Sequence, residues 1–112
     1  MSFQRSDCPL ACSLDVIGDK WSLLVVRDLF FGKRRFLEFQ SSNEAIPTNI
    51  LAERLARLER ARLVKKRPYQ KRPPRYEYYL TESGRALGPI IKAYVTWGRR
   101  HIPGTIVPKL KT

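Results

Sequence analysis

The apolar residues of this sequence recur every three or four positions through most of its length, a spacing that predicts α-helices. The first predicted helix begins at Pro9, because proline suits the first turn, and its apolar side consists of Leu10, Leu14 and Ile17. Gly18 is expected to end this helix by supplying the left-handed backbone that helix ends often use.

The second predicted helix has a wide apolar arc and should be largely buried. Asp19 can cap its start through its carboxylate, and Gly32 is expected to end it. A short helix follows, in which Phe36, Leu37 and Phe39 are expected to supply the apolar contacts.

A fourth predicted helix begins near Pro47, after a short polar connection, and contains a narrow stripe of Leu51, Leu55 and Leu58. Its opposite face mixes small, amide and charged side chains, namely Asn49, Ala52, Glu53, Ala56, Arg57 and Arg60. Such a face could enter a DNA major groove, where small residues allow close approach and Asn and Arg bind base edges or phosphates. Alone, it is more typical of a solvated surface helix. Preceded by a short helix and a tight polar link, it indicates a helix-turn-helix.

After Val64 the pattern changes from helical to extended. Residues 65–70 and 75–80 are rich in tyrosine, which favours strands, and they flank Lys71-Arg72-Pro73-Pro74. Eight basic residues and no acid lie between Arg60 and Arg75. We predict a hairpin that acts as a wing along the DNA backbone. The alternative, a hairpin whose charges only aid solubility, is less favourable because cations without counter-acids repel each other.

The last predicted helix has more apolar surface than one small core needs. Thr81 can cap it, and Gly84, Gly88 and Pro89 should weaken or bend its first half. Its apolar side chains are Leu87, Ile90, Ile91, Tyr94, Val95 and Trp97. This apolar surface could be covered by a partner subunit or by the helix's own domain, and the pattern does not decide between them.

Composition narrows the function. The 112 residues carry a net charge of +12, and small basic folded chains most often bind nucleic acid, with anionic membranes second. No apolar run reaches the length of a membrane span and no signal peptide is visible, so a cytoplasmic location is expected. Cys8, Cys12 and the single histidine, His101, do not predict a metal site, and no phosphate-binding loop or catalytic triad is present. We therefore expect neither a cofactor nor an enzyme.

Several separate motifs point to one known family. They are Cys8-Pro9, Ile17-Gly18-Asp19-Lys20-Trp21, Phe31-Gly32-Lys33-Arg34-Arg35-Phe36, Leu51 to Leu58, Pro73-Pro74-Arg75-Tyr76-Glu77-Tyr78, Leu80-Thr81-Glu82-Ser83-Gly84 and Trp97-Gly98. Their order and spacing resemble the HxlR-type bacterial transcriptional regulators, which are MarR-like. The resemblance implies a winged helix-turn-helix that dimerises through its terminal helices and binds an inverted-repeat operator as a repressor or activator. It also implies that some members sense electrophiles or oxidants through a cysteine that aligns with Cys8.

Two positions depart from the family pattern. Arg62 stands where the family usually has glycine, and Ala45 stands where glycine is frequent. If the backbone at Arg62 needs a positive φ, the side chain costs about 1 kcal/mol.

The predicted fold class is mainly α with a small β-hairpin. We expect a flexible arm at residues 1–7, a winged helix-turn-helix domain with terminal dimerisation helices at residues 8–102, and a loose basic tail at residues 103–112. The predicted DNA-binding residues are Arg34, Arg35, Thr48, Asn49, Glu53, Arg57, Lys71, Arg72 and Arg75, and the redox-sensing candidate is Cys8.

The predicted function is a homodimeric, sequence-specific DNA-binding regulator with an electrophile or oxidant as its effector. One alternative is a non-specific basic protein associated with RNA or the ribosome. Another is an interaction module whose basic face meets an acidic partner. For Cys8, the competing interpretation is a structural cysteine without reactivity.

Overall fold

The computed structural model describes residues 5–106, which form six α-helices and one two-stranded antiparallel sheet. The elements are α1 (Pro9–Ile17), α2 (Ser22–Phe30), α3 (Phe36–Gln40), α4 (Thr48–Arg60), β1 (Val64–Gln70), β2 (Arg75–Leu80), α5 (Glu82–Arg85) and α6 (Gly88–His101). This order confirms the predicted winged helix-turn-helix class. The predicted arm and tail lie partly outside the described residues.

The core lies where α2, α3 and α4 meet the base of the hairpin. The predicted stripe of Leu51, Leu55 and Leu58 is confirmed, because each of these side chains is at most 1% exposed. Burial of each such side chain contributes about 1.5–3 kcal/mol. The prediction for Leu37 was wrong, since it is 73% exposed. A five-residue helix turns only one side toward the core, and on α3 the fully buried residue is Phe39.

The two glycines that were expected to end α1 and α2 behave differently. Gly32 has a φ of 96°, the left-handed backbone that was predicted. Gly18 has a φ of −81°, so the predicted left-handed end was wrong. Glycine is nevertheless required there, because a Cβ on Gly18 would lie 2.3 Å from the carbonyl oxygen of Leu14.

The turn after α4 has a left-handed residue that is not glycine. Arg62 has a φ of 61°, so the condition for a backbone cost at this position is met. Its carbonyl accepts hydrogen bonds from the hydroxyls of Thr81 at 2.6 Å and Ser83 at 2.9 Å. Ala45, in the turn before α4, also has a positive φ, of 54°. Both positions where the family pattern has glycine therefore adopt the backbone that favours glycine.

The predicted hairpin is confirmed, with Val64 opposite Leu80 at its base and Gln70 opposite Arg75 near its turn. Its second strand has one additional neighbour that the sequence did not reveal. The N–H of Tyr78 donates to the carbonyl of Arg34 at 2.8 Å, which attaches the segment before α3 to the edge of the wing.

The expected bend in the last helix is a complete break. Thr81 caps α5 rather than α6, because its hydroxyl accepts the N–H of Gly84 at 3.1 Å. Gly84 packs closely against the turn after α4, and a Cβ there would lie 2.1 Å from the carbonyl oxygen of Leu63. The chain then starts a new helix at Gly88, with Pro89 in its first turn.

Some apolar residues of helix α6 are buried and others are exposed to solvent. Leu87 and Ile91 are buried in the domain, whereas Ile90, Tyr94 and Trp97 are 43%, 58% and 60% exposed. On α1, Leu10 and Leu14 are also exposed, by 67% and 43%. We call these five residues the exposed apolar set. Among residues 5–106, no helix is long and apolar enough to cross a membrane.

Candidate nucleic-acid interface

The polar face of α4 is turned outward by the burial of its leucine stripe. Asn49 lies exposed in the first turn, and its side chain makes no hydrogen bond within the described part of the chain. Thr48 is also exposed, and its hydroxyl accepts a hydrogen bond from the Gln40 side chain of α3 at 2.7 Å. The start of α4 therefore presents one side chain that is held by α3 and a neighbouring amide that is available to a ligand.

Glu53 is the acidic centre of this face. Arg54 donates to its carboxylate, the Nη2 atom of Arg57 lies 3.4 Å from Oε1, and that of Arg60 lies 4.0 Å from Oε2. Desolvation raises the pKa of Glu53, but the hydrogen bond from Arg54 and the charge of Arg57 outweigh this effect and lower the pKa. Glu53 therefore stays ionised among the arginines of α4.

Two of these arginines also reach Asp19, in the corner between α1 and α2. The Nε atom of Arg54 lies 2.7 Å from Oδ2 of Asp19, and Nη1 of Arg57 lies 3.3 Å from Oδ1. The same carboxylate caps the start of α2, as predicted, by accepting the N–H groups of Trp21 and Ser22 at 3.0 and 3.1 Å. Partial burial raises its pKa, but the hydrogen bonds from Ser22 and Arg54 outweigh that effect and lower the pKa.

The sequence predicted only the capping role of Asp19 and gave no role to Arg54. These two residues are 35 positions apart, so no local sequence pattern indicates their contact.

Arg34 and Arg35 lie at the start of α3, as predicted, but both side chains are bound within the domain. Nη1 of Arg34 donates to the carbonyl oxygens of Leu29 and Lys33, both at 2.9 Å. Nε of Arg35 donates to Glu77 of β2 at 3.0 Å, and this hydrogen bond is the main reason that the pKa of Arg35 is raised. Arg35 thus connects α3 to the wing, whereas the Arg34 side chain is bonded to the end of α2 and the segment after it, and DNA would have to share both arginines with these partners.

Glu38 accepts two of the backbone N–H groups at this helix start. Its carboxylate accepts the N–H groups of Arg34 and Arg35 at 2.8 and 2.9 Å, and these two bonds lower its pKa. This contact was not predicted, although a glutamate three residues after the N-cap residue is typical of a capping box. A phosphate at the start of α3 would therefore meet a carboxylate that already accepts the N–H groups of Arg34 and Arg35.

The turn of the hairpin and the residue after it, residues 71–75, form the wing tip. Lys71, Arg72 and Arg75 are exposed there, and none of them has an acidic partner among residues 5–106. The side-chain amide of Gln70 donates to the carbonyl oxygens of Arg72 and Pro73 at 3.3 and 3.1 Å, which fixes the path of the turn. The wing tip therefore offers three cations on a defined backbone.

A partly buried polar network fixes the turn between α3 and α4 to α2. Arg27 forms ion pairs with Asp28 at 2.9 Å and with Glu44 at 2.8 Å, and its hydrogen bond lowers the pKa of Glu44. The hydroxyl of Ser42 donates to Asp28 at 2.5 Å and accepts from Lys33 at 2.6 Å. The position of α4 relative to α2 is thus set by charged groups as well as by the leucine core.

The sensor candidate Cys8 is exposed at the N-cap of α1. Its N–H donates to the hydroxyl of Ser6 at 2.9 Å, and its carbonyl accepts the N–H of Cys12 at 2.9 Å. Cys12 is half-buried, and its thiol donates to the carbonyl of Ser6 at 3.3 Å. Within residues 5–106, no group of three or more His, Cys, Asp or Glu residues is arranged to hold a metal ion.

A family model described as HxlR-like helix-turn-helix matches residues 16–105. The uncharacterised HTH-type transcriptional regulator YdeP of Bacillus subtilis is 38% identical over 94 residues, which are 84% of this chain and 73% of that protein. Three mycobacterial regulators are also 38% identical, and the match covers 62% of their length.

Two solved structures have the same architecture. PA1607, a candidate transcription factor, is 40% identical with a TM-score of 0.83, over 97% of this chain and 77% of that chain. HypR, a redox regulator solved in its oxidised form, is 38% identical with a TM-score of 0.75, over 84% of this chain and 97% of that one.

Proposed function

This chain belongs to the HxlR-like helix-turn-helix family of transcriptional regulators, and from this premise we propose that it binds an inverted-repeat operator as a homodimer. The observation that carries the proposal is the pairing of two surfaces. The start of α4 exposes Thr48 and Asn49, and the wing tip exposes three cations that lack acidic partners among residues 5–106. Such a protein acts in the cytoplasm, where bacterial DNA lies.

Each predicted contact residue has a distinct role in this proposal. Thr48 and Asn49 bind base edges or the nearest phosphates, and Glu53 and Arg57 face the same major groove further along α4. The wing tip binds the adjacent phosphate backbone through Lys71, Arg72 and Arg75. Arg34 and Arg35 supply charge near phosphates while they remain attached to their partners in the domain.

The proposed partner for the exposed apolar set is a second copy of the chain. Single exposed apolar residues are ordinary, but this set spans two helices, α1 and α6. A cavity of about 420 Å³ lies beside it, lined mainly by Leu23, Leu24, Ile91, Tyr94 and Val95. Apolar side chains of a partner could fill this cavity. Two-fold symmetry would then place two α4 helices in major grooves about one DNA turn apart, or a multiple of it.

The experiment that tests this proposal is selection of bound DNA from a random library, followed by sedimentation of the free protein. We expect a two-fold symmetric site and a dimer at micromolar concentration. Equal binding of random DNA and structured RNA would instead support the alternative of a non-specific basic protein. A monomer that binds a half-site one-to-one would reject the homodimer.

The second part of the proposal concerns the effector. HypR is a redox regulator, and the resemblance aligns Cys8 with the sensing cysteine of some family members. Cys8 is exposed at the N-cap of α1, so reagents in solvent can reach its thiol. Addition of this thiol to a quinone forms a carbon–sulfur bond, and the thiol proton moves to the quinone oxygen. The added bulk would lie beside the proposed dimer contact of α1.

The test of this part is operator binding before and after treatment with a quinone or a mild oxidant, in the parent protein and in Cys8→Ser. We expect loss of binding in the parent protein only. A matched control is Cys12→Ser, which should respond like the parent. Identical responses of the parent and Cys8→Ser would remove Cys8 from the mechanism.

A further inference from the structure

Two arginines and two carboxylates connect the corner between α1 and α2 to the outer face of α4. Arg54 and Arg57 each contact both Asp19 and Glu53, so each guanidinium lies between two acids. We call Asp19, Glu53, Arg54 and Arg57 the four-residue network. A guanidinium that is held at two edges has few orientations left, because its donors form a rigid planar fork.

Two side chains of this network, Arg54 and Asp19, are less exposed than the other two. The side chains of Arg54 and Asp19 are 18% and 20% exposed, whereas those of Arg57 and Glu53 are 32% and 45% exposed. The inner end is therefore attached to the domain, where Asp19 also caps α2 through two backbone N–H groups. The outer end carries the two groups that our proposal directs toward the major groove.

We propose that Asp19 is a positioning residue for operator recognition, which holds Arg57 and Glu53 in the orientation that reads base edges although Asp19 itself touches no DNA. This inference depends on the proposed DNA-binding function and deepens it. In a major groove, a glutamate accepts a hydrogen bond from cytosine N4, and an arginine donates to guanine O6 and N7. Both contacts depend on direction, and the inner carboxylate fixes that direction.

Without Asp19, the arginines of α4 would change partners. Arg57 would keep Glu53 alone, and its guanidinium could turn toward phosphates, which are present at every sequence. Phosphate contacts add affinity without sequence information. The loss of Asp19 should therefore reduce the preference for the operator over random DNA, with little loss of affinity for random DNA.

The substitution that tests this is Asp19→Asn, because the amide keeps an oxygen to cap α2 but removes the charge that holds the arginines. We expect the ratio of operator affinity to random-DNA affinity to fall on the order of tenfold. In a selection from random DNA, Asp19→Asn should relax the same base position as Glu53→Gln. A purely structural role would weaken binding to all DNA equally and leave the selected bases unchanged, and that result would overturn the proposal.

A matched control is Ser22→Ala. Its hydroxyl donates to Oδ1 of Asp19 at 2.5 Å, and Arg57 contacts the same oxygen, whereas Oδ2 accepts the N–H groups that cap α2. This variant removes one hydrogen bond to Asp19 and leaves both arginines in place. It should leave the selected bases and the affinity ratio unchanged.

A second variant keeps the inference testable if Asp19→Asn does not fold. Arg54→Gln removes one of the two arginines that join Asp19 to Glu53 and keeps Arg57, and Arg54 is not among the proposed DNA contacts. It should relax the same base position, and an unchanged preference there would count against the proposal.

A measurement on the free protein separates this inference from the proposed function. Nuclear magnetic resonance relaxation of the Arg57 guanidinium should report an ordered group in the parent protein and a mobile one in Asp19→Asn. Equal mobility in both would overturn the positioning role whatever the DNA result. Failure of the parent protein to select any symmetric site would instead reject the proposed function.

Discussion

Helix α4 and the wing tip each carry three basic residues, but among residues 5–106 only those of the helix are paired with acids. Arg54, Arg57 and Arg60 contact Glu53, and the first two also contact Asp19. The three cations of the wing tip have no acidic partner among residues 5–106. A cation held between carboxylates has a direction, whereas an unpaired cation mainly adds positive potential.

This difference suggests a division of work between the two regions. Directed groups can distinguish base edges, which differ in the placement of donors and acceptors. Unpaired cations attract any duplex, and their contribution falls as salt rises because phosphate contacts release counterions. We therefore expect changes in α4 to alter which DNA is bound, and changes in the wing tip to alter how strongly every duplex is bound.

The largest expected effect comes from a substitution in the core that holds α4 in place. Leu55→Ala should lower the free energy of unfolding by about 2–5 kcal/mol, because a buried leucine is replaced by a cavity. The side chain is 1% exposed, so little water can enter to compensate. Urea denaturation checks the destabilisation. The matched control is Leu37→Ala on α3, where a leucine that is 73% exposed should change the stability by less than about 0.5 kcal/mol.

The next largest effect tests whether the outer face of α4 determines which DNA sequence is bound. Asn49→Ala should weaken operator binding by about 1–3 kcal/mol and relax one base position per half-site, because an amide can bind adenine through two hydrogen bonds. Competition binding with single-base operator variants measures it. An equal loss on every sequence would place Asn49 among the phosphate contacts and weaken the division between the two regions.

The wing tip provides the complementary test. Arg72→Ala should weaken binding to operator and random duplexes about equally, and it should lower the salt slope by about 0.9 for each phosphate that Arg72 neutralises at each wing. Titrations at several salt concentrations give the slope. Lys92→Ala, which removes an exposed cation from α6, serves as the control and should leave the slope unchanged. A normal slope in Arg72→Ala would mean that the wing tip does not touch DNA.

The sequence was sufficient to predict those secondary-structure elements and buried faces that one local pattern determines. The leucine stripe at three- and four-residue spacing predicted the buried side of α4, and tyrosine-rich segments around a proline-containing turn predicted the hairpin. It failed where the deciding contact is close packing between distant residues. Nothing near Gly84 in the sequence indicates that the carbonyl of Leu63 leaves no space for a Cβ at that position.

The candidate site also has features that the sequence predicted and features that it did not. The basic run of the wing and the polar face of α4 were visible as composition and spacing. The partners that orient these charges were not, because Asp19 and Arg54 are 35 residues apart, and Arg35 and Glu77 are 42 residues apart. The charges of the candidate interface were thus predictable from the sequence, but not which of them are bound to partners within the domain.

The smallest predicted effect concerns Arg62, in the turn that joins the two regions. Its φ of 61° costs a residue with a Cβ about 1 kcal/mol relative to glycine, so Arg62→Gly should stabilise the fold by roughly that amount. The hydrogen bonds at this residue are accepted by its backbone carbonyl, so they survive the substitution. Thermal unfolding should show a rise of about 4–8 °C.

Ala61→Gly is the control that separates backbone strain from a general effect of glycine. Ala61 has a φ of −78°, which any residue adopts, so glycine there should lower stability by about 0.5–1 kcal/mol through the entropy of the unfolded chain. Arg62→Gly also removes an exposed cation between α4 and the wing. If that cation binds a phosphate, its removal lowers the salt slope by about 0.9 per phosphate while stability rises. A stability gain with an unchanged slope would show that Arg62 carries its backbone cost without binding a phosphate in exchange.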